Sequence, residues 1–566
     1  MFFLLSHWAY RPVEPQPNSI SESQFSSARA EIFLEELVGD SIPHPAGSQQ
    51  NAVVRSKIIA NLESFGYAVE IQTGIGKVNE KVKHRSPDKD EVELSNIIAI
   101  RKSQRPESQP KLMLVSHYDS VPTGPGASDD GVATAAVLEV ARMMANEPAP
   151  DQDVVFLITD GEEMGLLGAK LFVDEHPLAK QIGVVVNLEA RGTTGPSCMF
   201  ETSRLSRILI PLFARVGDKK FASSLFYEIY RRMPNDTDFS VFNQAGILGF
   251  NFAFIGDVRH YHTTADNLEN VDRGSLQHHG ENALGVLREL LRSPETKDLL
   301  AASAERRDEA VYFDVFGKWL VWWPQAWSWW LTSLAWLLIA VLVFDVRRQS
   351  SQPDKADRAG PTGFFKQLIV QVGIVVAISV VVFLVGIGIL NLARLDPRMS
   401  HPWPAQPGWL LAGCWLTGFA TAGSLVTLSS QRISSAGVWL ATCLLWGALA
   451  IVTSAISVGA SHLFIVPLLI AVGTGIVMRR LAPQGWIVPT CVMTAIGIGL
   501  LWVPLERIFY DAVGFKMAGV AAARLAIVTT GLVGLLSKLT AANLFWFSIA
   551  SAAGAVGSFV LAIVLS

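Results

Sequence analysis

From about residue 326 onward the chain carries eight apolar runs, near 326–345, 368–390, 409–428, 436–457, 461–478, 486–505, 518–536 and 542–565. A run of about 20 apolar residues has one stable destination, a helix across a bilayer, because a helix satisfies every backbone polar group within its own segment. Residues 311–566 are therefore expected to form an all-α transmembrane domain of about eight spans. Tryptophans gather where that region begins, at Trp319, Trp322, Trp323, Trp327, Trp329 and Trp330, and indole rings suit the headgroup layer. The connections carry Arg and Lys unevenly. One parity holds Arg347, Arg348, Lys355, Arg358, Lys366, Arg432, Arg479, Arg480 and Lys538, the other only Arg394, Arg398, Arg507 and Lys516. The positive-inside rule puts the first set in the cytoplasm and the amino-terminal half across the membrane, in a periplasm or a vacuolar or reticular lumen.

The amino-terminal half has a different composition. Residues 20–310 are rich in Asp, Glu, Lys and Arg, and the net charge of −4 leaves no basic footprint for nucleic acid. Of the four cysteines only Cys198 lies in this half, so it has no internal disulfide. Residues 1–19 form an apolar stub too short to span a bilayer; it reads as an interfacial segment or, preferably, as the remnant of an amino-terminal anchor. Strand-like runs are expected at 68–71, 96–100, 112–115, 154–158, 184–188, 225–229 and 249–254. Helical patterns lie at 25–37, 51–65, 132–146, 167–176, 204–216, 238–245 and 280–291, and charged 77–93 reads as a surface loop. Such alternation predicts a three-layer α/β domain over 20–310 with a mixed, largely parallel sheet.

Chemistry gathers at the ends of these strands. His117 closes the run at 112–115, and Asp129-Asp130 follow a Gly/Pro-rich loop at the start of an alanine-rich helix. Glu162-Glu163 follow the run at 154–158, Glu189 ends that at 184–188, and His262 lies shortly after 249–254. Side chains at successive strand ends share one edge of an open sheet, where such folds bind ligands. His117, Asp129, Glu163, Glu189 and His262 can be read as ligands of a paired metal site, because imidazole and carboxylate suit zinc and a carboxylate can bridge two ions. Asp129 is the natural bridge. His117 and Glu189 could complete one set and Glu163 and His262 the other, though the assignment of the two terminal carboxylates is open.

Asp119 can orient the His117 ring. Glu162 is the spare carboxylate, able to take a proton as a metal-bound hydroxide attacks a carbonyl and to return it to a leaving amine. Singly, each residue has a plainer reading: Glu162-Glu163 as a solvated helix start, Asp129-Asp130 as a turn or cap, His117 and His262 as ordinary polar histidines. Asp130 is read as a helix start or a residue behind the ligands, and Asp236 and Asp238 as caps, with a pocket role the lesser reading. Tyr261 is either a packed aromatic or a reach toward an oxyanion, and Glu506, Lys516 and Arg524 read as side chains snorkelling to the outer interface. All five ligand positions failing together in an ordered α/β pattern is improbable.

His117-x-Asp119, Gly126-Ala127-Ser128-Asp129-Asp130-Gly131, Glu162-Glu163-x-Gly165, Asn187-Leu188-Glu189-Ala190 and Tyr261-His262-Thr263 resemble the ordered motifs of the M28 zinc peptidases. Pro43-His44-Pro45-x-Gly47-Ser48, Asn235-Asp236-Thr237-Asp238-Phe239 and Ala310-Val311-Tyr312-Phe313-Asp314 resemble its membrane-bound branch, that of the vacuolar membrane protease and the endoplasmic reticulum metallopeptidase. The resemblance covers the soluble half and the many-span pattern behind it. It implies a two-zinc peptidase, by analogy an aminopeptidase, with His117, Asp129, Glu163, Glu189 and His262 as ligands, Glu162 as general base and Asp119 as the orienting acid. Peptides and the lipid bilayer are the implied partners; oligomeric state is not readable. Arg191 departs from the small residue usual in the eukaryotic members of that branch and would narrow or recharge the pocket.

Two other readings compete. In one, the spans are a transporter or scaffold and the α/β domain has lost its chemistry; such a domain should lack a ligand or the base, and none is missing. In the other, the fold catalyses glutaminyl cyclisation; cyclases resembling this fold use one zinc, whereas the set here suits two.

Overall fold

The computed structural model describes residues 7, 9–85, 89–104, 110–300, 306–350, 361–396, 401–404 and 407–565. Most of the expected stub's apolar start (1–6), and the loop cations Lys355, Arg358 and Arg398, lie outside them. The chain divides into two compact units, residues 7–325 and the region from Ala326 onward.

The first unit begins with two capped helices, α1 (Ser27–Val38) and α2 (Gln49–Ser64). The Ser26 side chain accepts the Arg29 N–H and that of Ser48 accepts the Asn51 N–H, so each helix starts where a hydroxyl can satisfy an orphan donor. Strands β1 (Val69–Lys77), β2 (Glu91–Arg101) and β3 (Lys111–His117) follow, then α3 (Ala133–Asn146), β4 (Val154–Thr159), α4 (Leu167–Glu175) and β5 (Ile182–Ala190). Next come β6 (Cys198–Thr202), α5 (Ser206–Ala214), β7 (Phe221–Ala222), α6 (Ser224–Tyr230), α7 (Asp238–Gln244), β8 (Leu248–Phe254) and α8 (Arg273–Arg292). Eight strands form one sheet in the order β1-β2-β4-β3-β5-β8-β6-β7. Its centre, β4-β3-β5-β8, is parallel, while β1/β2, β2/β4 and β6/β8 pair antiparallel.

The centre of the sheet is buried on both faces, which is why its central strands read as unbroken apolar runs. Alternate residues serve the two sides. Leu112, Leu114, Phe156 and Val186 pack with α1, α3 and α8, whereas Met113, Val115, Val155 and Leu157 pack with α4 and α7. The expected three-layer, largely parallel α/β architecture is the one observed. Because β3 lies between β4 and β5, the chain switches sides there, and the carboxyl ends of β3, β4, β5 and β8 open on one edge.

Three features differ from the sequence reading. The expected strand at 225–229 is helix α6: Ser223 accepts the Leu225 N–H, and the Ser224 hydroxyl donates to the Tyr312 carbonyl. Capping and that tertiary contact outweigh the strand preference of aromatic and branched residues. The 77–93 segment is not loop throughout, since β1 ends at Lys77 and β2 starts at Glu91. Trp319, Trp322 and Trp323 belong to a hairpin of β9 (Ala310–Val315) and β10 (Trp319–Pro324) in the first unit, with Trp323 buried edge-on against Phe313.

In the second unit, eight helical segments among the described residues are long and apolar enough to cross a membrane: Trp327–Arg348, Gly363–Ala393, Pro407–Ser429, Ser435–Ile456, Val458–Leu481, Ile487–Val513, Ala518–Leu536 and Ala541–Val564. Buried indoles join them, as Trp439 Nε1 donates to Thr494 at 3.0 Å and Trp446 Nε1 to Thr530 at 2.8 Å. Arg524 does not snorkel outward. It is only 7% exposed, 3.7 Å from Glu506 and over the Phe509 ring.

Candidate metal centre

His117 is the last residue of β3, and its ring Nδ1 lies 3.0 Å from the Asp119 carbonyl. A neutral ring donating there keeps the lone pair on Nε2, which is buried and has no hydrogen-bond partner. Around that nitrogen stand Asp129 Oδ1 at 3.3 Å and Glu189 Oε1, from the end of β5, at 3.6 Å. The other Asp129 oxygen faces a different imidazole: Oδ2 is 3.1 Å from His262 Nε2, which also lies 2.8 Å from Glu163 Oε1. Gly126, at φ +68°, supplies the left-handed turn that swings Asp129 back over the strand ends. All five expected ligand residues therefore converge, with one carboxylate between two histidines.

Of the two readings of Asp130, the structure matches a place behind the ligands. Asp130 is buried, with Oδ2 accepting the His117 N–H and Oδ1 unpartnered, and together with His117 and Glu189 it makes one of two three-residue clusters of metal-ligating side chains among the described residues. The second is Asp129, Glu163 and His262. An unsatisfied buried imidazole nitrogen and an unsatisfied carboxylate oxygen facing each other's neighbours is a donor set that fits a cation.

Electrostatics make the same demand. Burial raises Glu162 well above the carboxylate range, with Glu189, Glu163 and Asp238 adding to it, and raises Glu163 as well. Glu189 is pushed up to about 7, chiefly by burial. Burial lowers the pKa of His262, but Glu163 and Asp129 outweigh it and lift the ring to about 9. Asp129, despite burial, is held low by the two histidines. So many carboxylates in one buried space cannot all ionise without added positive charge.

Asp119 stands beside the His117 ring where it was expected, and it has a second set of partners. Its carboxylate is 3.5 Å from His117 Nδ1, but its hydrogen bonds come from the backbone N–H groups of Glu162, at 2.9 Å, and Glu163, at 3.2 Å. It thus sets where both glutamates point. Glu162 itself is half-buried beside the cluster. Tyr261 is half-buried and stacked on His262 at 3.6 Å between ring centroids, and the Arg191 guanidinium lies 6.0 Å from the Tyr261 centroid.

Sequence reasoning missed two neighbours. Arg85, from the turn between β1 and β2, bonds the Glu163 carboxylate and carbonyl, a contact that no local pattern announces. Asp238 is not the cap of α7; Thr237 and Ser240 form a reciprocal capping box, and Asp238 is buried with the Thr159 hydroxyl donating to it. Asp236 is exposed.

Residues 96–287 match peptidase family M28. Among curated proteins, the chain is similar to endoplasmic reticulum metallopeptidase 1 of Rattus norvegicus, 31% identical over 319 residues, covering 54% of this chain and 35% of that one. It is also similar to the vacuolar membrane protease of Eremothecium gossypii, 28% identical over 336 residues, covering 57% of this chain and 32% of that one. The match thus spans about a third of the length of these relatives. Among solved structures, Porphyromonas gingivalis glutaminyl cyclase is similar at a TM-score of 0.38 and 21% identity, covering 47% of this chain and 98% of that one.

Proposed function

We propose, from the match of residues 96–287 to peptidase family M28, that this chain is a membrane-anchored two-zinc metallopeptidase, cleaving peptides as an aminopeptidase. The observation that carries the reading is the division of Asp129: each oxygen faces its own histidine, and each histidine has its own second carboxylate. His117, Asp129 and Glu189, with Asp130 beside them, would hold one ion; Asp129, Glu163 and His262 would hold the other. Bound zinc would supply Lewis acidity, polarising a carbonyl and making water acidic near neutral pH.

The chain's own groups account for the proton traffic. Glu162, the carboxylate left outside both ligand sets, takes a proton from the attacking water and returns it to the leaving amine. Asp119 fixes Glu162 and Glu163 through their backbone N–H groups. The excess of carboxylates around the cluster favours a substrate that presents a cationic amino terminus. The apolar helices anchor the enzyme, and the loop charges support a catalytic domain on the non-cytoplasmic side.

The test is metal analysis of the full chain in detergent, with a panel of aminoacyl and peptide substrates. Two zinc equivalents and release of amino-terminal residues are expected. One equivalent together with cyclisation of amino-terminal glutamine would replace hydrolysis with the cyclase reaction. Glu162→Gln should keep both metals and lose about 10²–10⁴-fold in kcat; full turnover in that variant would remove Glu162 from its role.

A further inference from the structure

The two halves of the centre are built differently. His117 and Glu189 stand at the ends of β3 and β5, adjacent parallel strands locked in register. His262 lies in irregular chain beyond β8, at φ +60°, with no strand to hold it. What holds it is docking onto the segment that carries Asp129. The Thr123 hydroxyl donates to the His262 carbonyl at 2.9 Å, and a Cβ on Gly124 would sit 2.4 Å from the Thr263 carbonyl oxygen, so only glycine permits the approach.

The principal contact is Asp266, 3% exposed. Its Oδ1 accepts the Ser128 N–H at 2.7 Å, its Oδ2 accepts the Asp129 N–H at 3.2 Å, and its carbonyl accepts the Ala127 N–H at 3.2 Å. Its own N–H returns to the Thr263 carbonyl at 3.1 Å. Three consecutive amides of the Asp129 turn therefore end on one residue, four positions beyond His262. A carboxylate accepts on both oxygens and donates on neither, which two adjacent N–H groups require. An amide of the same shape would turn an NH₂ toward one of them.

We propose that Asp266 is the positioning residue that assembles the His262 half of the centre, fixing Asp129 Oδ2 against His262 Nε2, while the His117 half, which shares Asp129, keeps His117 and Glu189 at the ends of β3 and β5. The inference rests on the two-ion reading above. Loss of Asp266 then converts a two-ion centre into a one-ion centre instead of abolishing metal binding.

The experiment is zinc titration of the full chain in detergent against a competing chelator, for wild type, Asp266→Asn, Asp266→Ala and Thr123→Val. Thermal unfolding of the metal-free proteins is followed in parallel. In Asp266→Asn one ion, assigned to the His262 half, should lose 10–100-fold or more in affinity, with the other changed by much less and a cooperative unfolding transition retained. Asp266→Ala should lose more, and Thr123→Val, which takes away only the donor to the His262 carbonyl, should move the same ion in the same direction by less. One ion in wild type overturns the two-ion reading and this inference together. Two ions in wild type and two of unchanged affinity in Asp266→Asn overturn the inference alone. Equal weakening of both ions in every variant also overturns it, because a general structural role would act on both.

Discussion

Asp129 is the one side chain whose oxygens serve different histidines, so its truncation should reach both halves of the centre. Asp129→Ala is expected to bind neither zinc tightly, whereas Glu189→Ala should weaken the ion on the His117 side and leave the other near wild type. Metal content after dialysis against a weak chelator distinguishes the two, and retention of one tight ion by Asp129→Ala would contradict the bridge. Residues of this kind were legible in the chain because they sit at the ends of apolar runs, where local pattern alone puts a polar side chain on the edge of a sheet. Arg85, Asp238 and Asp266 were not. Each acts through an approach between segments 75 or more positions apart: Arg85 on Glu163, Thr159 on Asp238, Asp266 on Asp129. No spacing rule encodes such an approach. Asp119 shows the middle case, since its motif was evident but its bonding partners were the Glu162 and Glu163 amides, forty-odd residues on.

At the scale of elements, the central strands were legible because burial on both faces leaves an apolar run, and α6 was not because its start is decided by Ser223 and by contact with the β9–β10 hairpin. Helix α8 supports the site in a way that is testable by pH. Its His278 accepts the Ser197 N–H at Nδ1 (3.0 Å), with Nε2 3.3 Å from the Lys219 carbonyl, so the ring is neutral with its proton on Nε2. Next to it His279 Nδ1 meets the Ser197 hydroxyl at 2.8 Å. These contacts pin the loop that follows Glu189 and β5. Burial pushes both rings down to about 3. Unfolded histidine titrates near 6.5, so the unfolded chain binds protons first as pH falls. Stability is then fully present above about pH 6.5 and declines toward pH 3, by roughly 3 kcal/mol per ring between pH 7 and 4. His278→Gln can keep one acceptor and one donor without a titrating group. Its melting temperature should fall less than that of wild type over this interval, and identical acid slopes in the two proteins would show that His278 does not set it.

Across the whole molecule, the eight helices and the charged loops between them decide which side the centre faces. In chain order the loops after the first, third, fifth and seventh spans begin or end with Arg347 and Arg348, Arg432, Arg479 and Arg480, and Lys538. The loops after the second and sixth carry Arg394 and Lys516, with Arg507 in the last turns of the sixth span itself. Some of these cations are already committed. Arg479 pairs with Asp345 at 2.6 Å, and Arg507 with Asp511 at 2.9 Å. Pairing trims both parities and leaves the excess on the odd loops, so the bias toward cytoplasmic odd loops survives. With the first unit preceding the first span, that bias is what supports the proposed placement of the metal centre on the non-cytoplasmic side. Arg524 and Glu506 fit this scheme as an ion pair enclosed by the helices, and removing Arg524 alone should cost more stability than replacing both by apolar and amide residues together, because it strands a buried carboxylate. A reporter fused at His401, after the second span, should therefore report the non-cytoplasmic side, and one at Arg432, after the third, the cytoplasm. The reverse pattern at both points would invert the orientation and place peptide hydrolysis in the cytoplasm, while agreement between the two reporters would refute the span count itself.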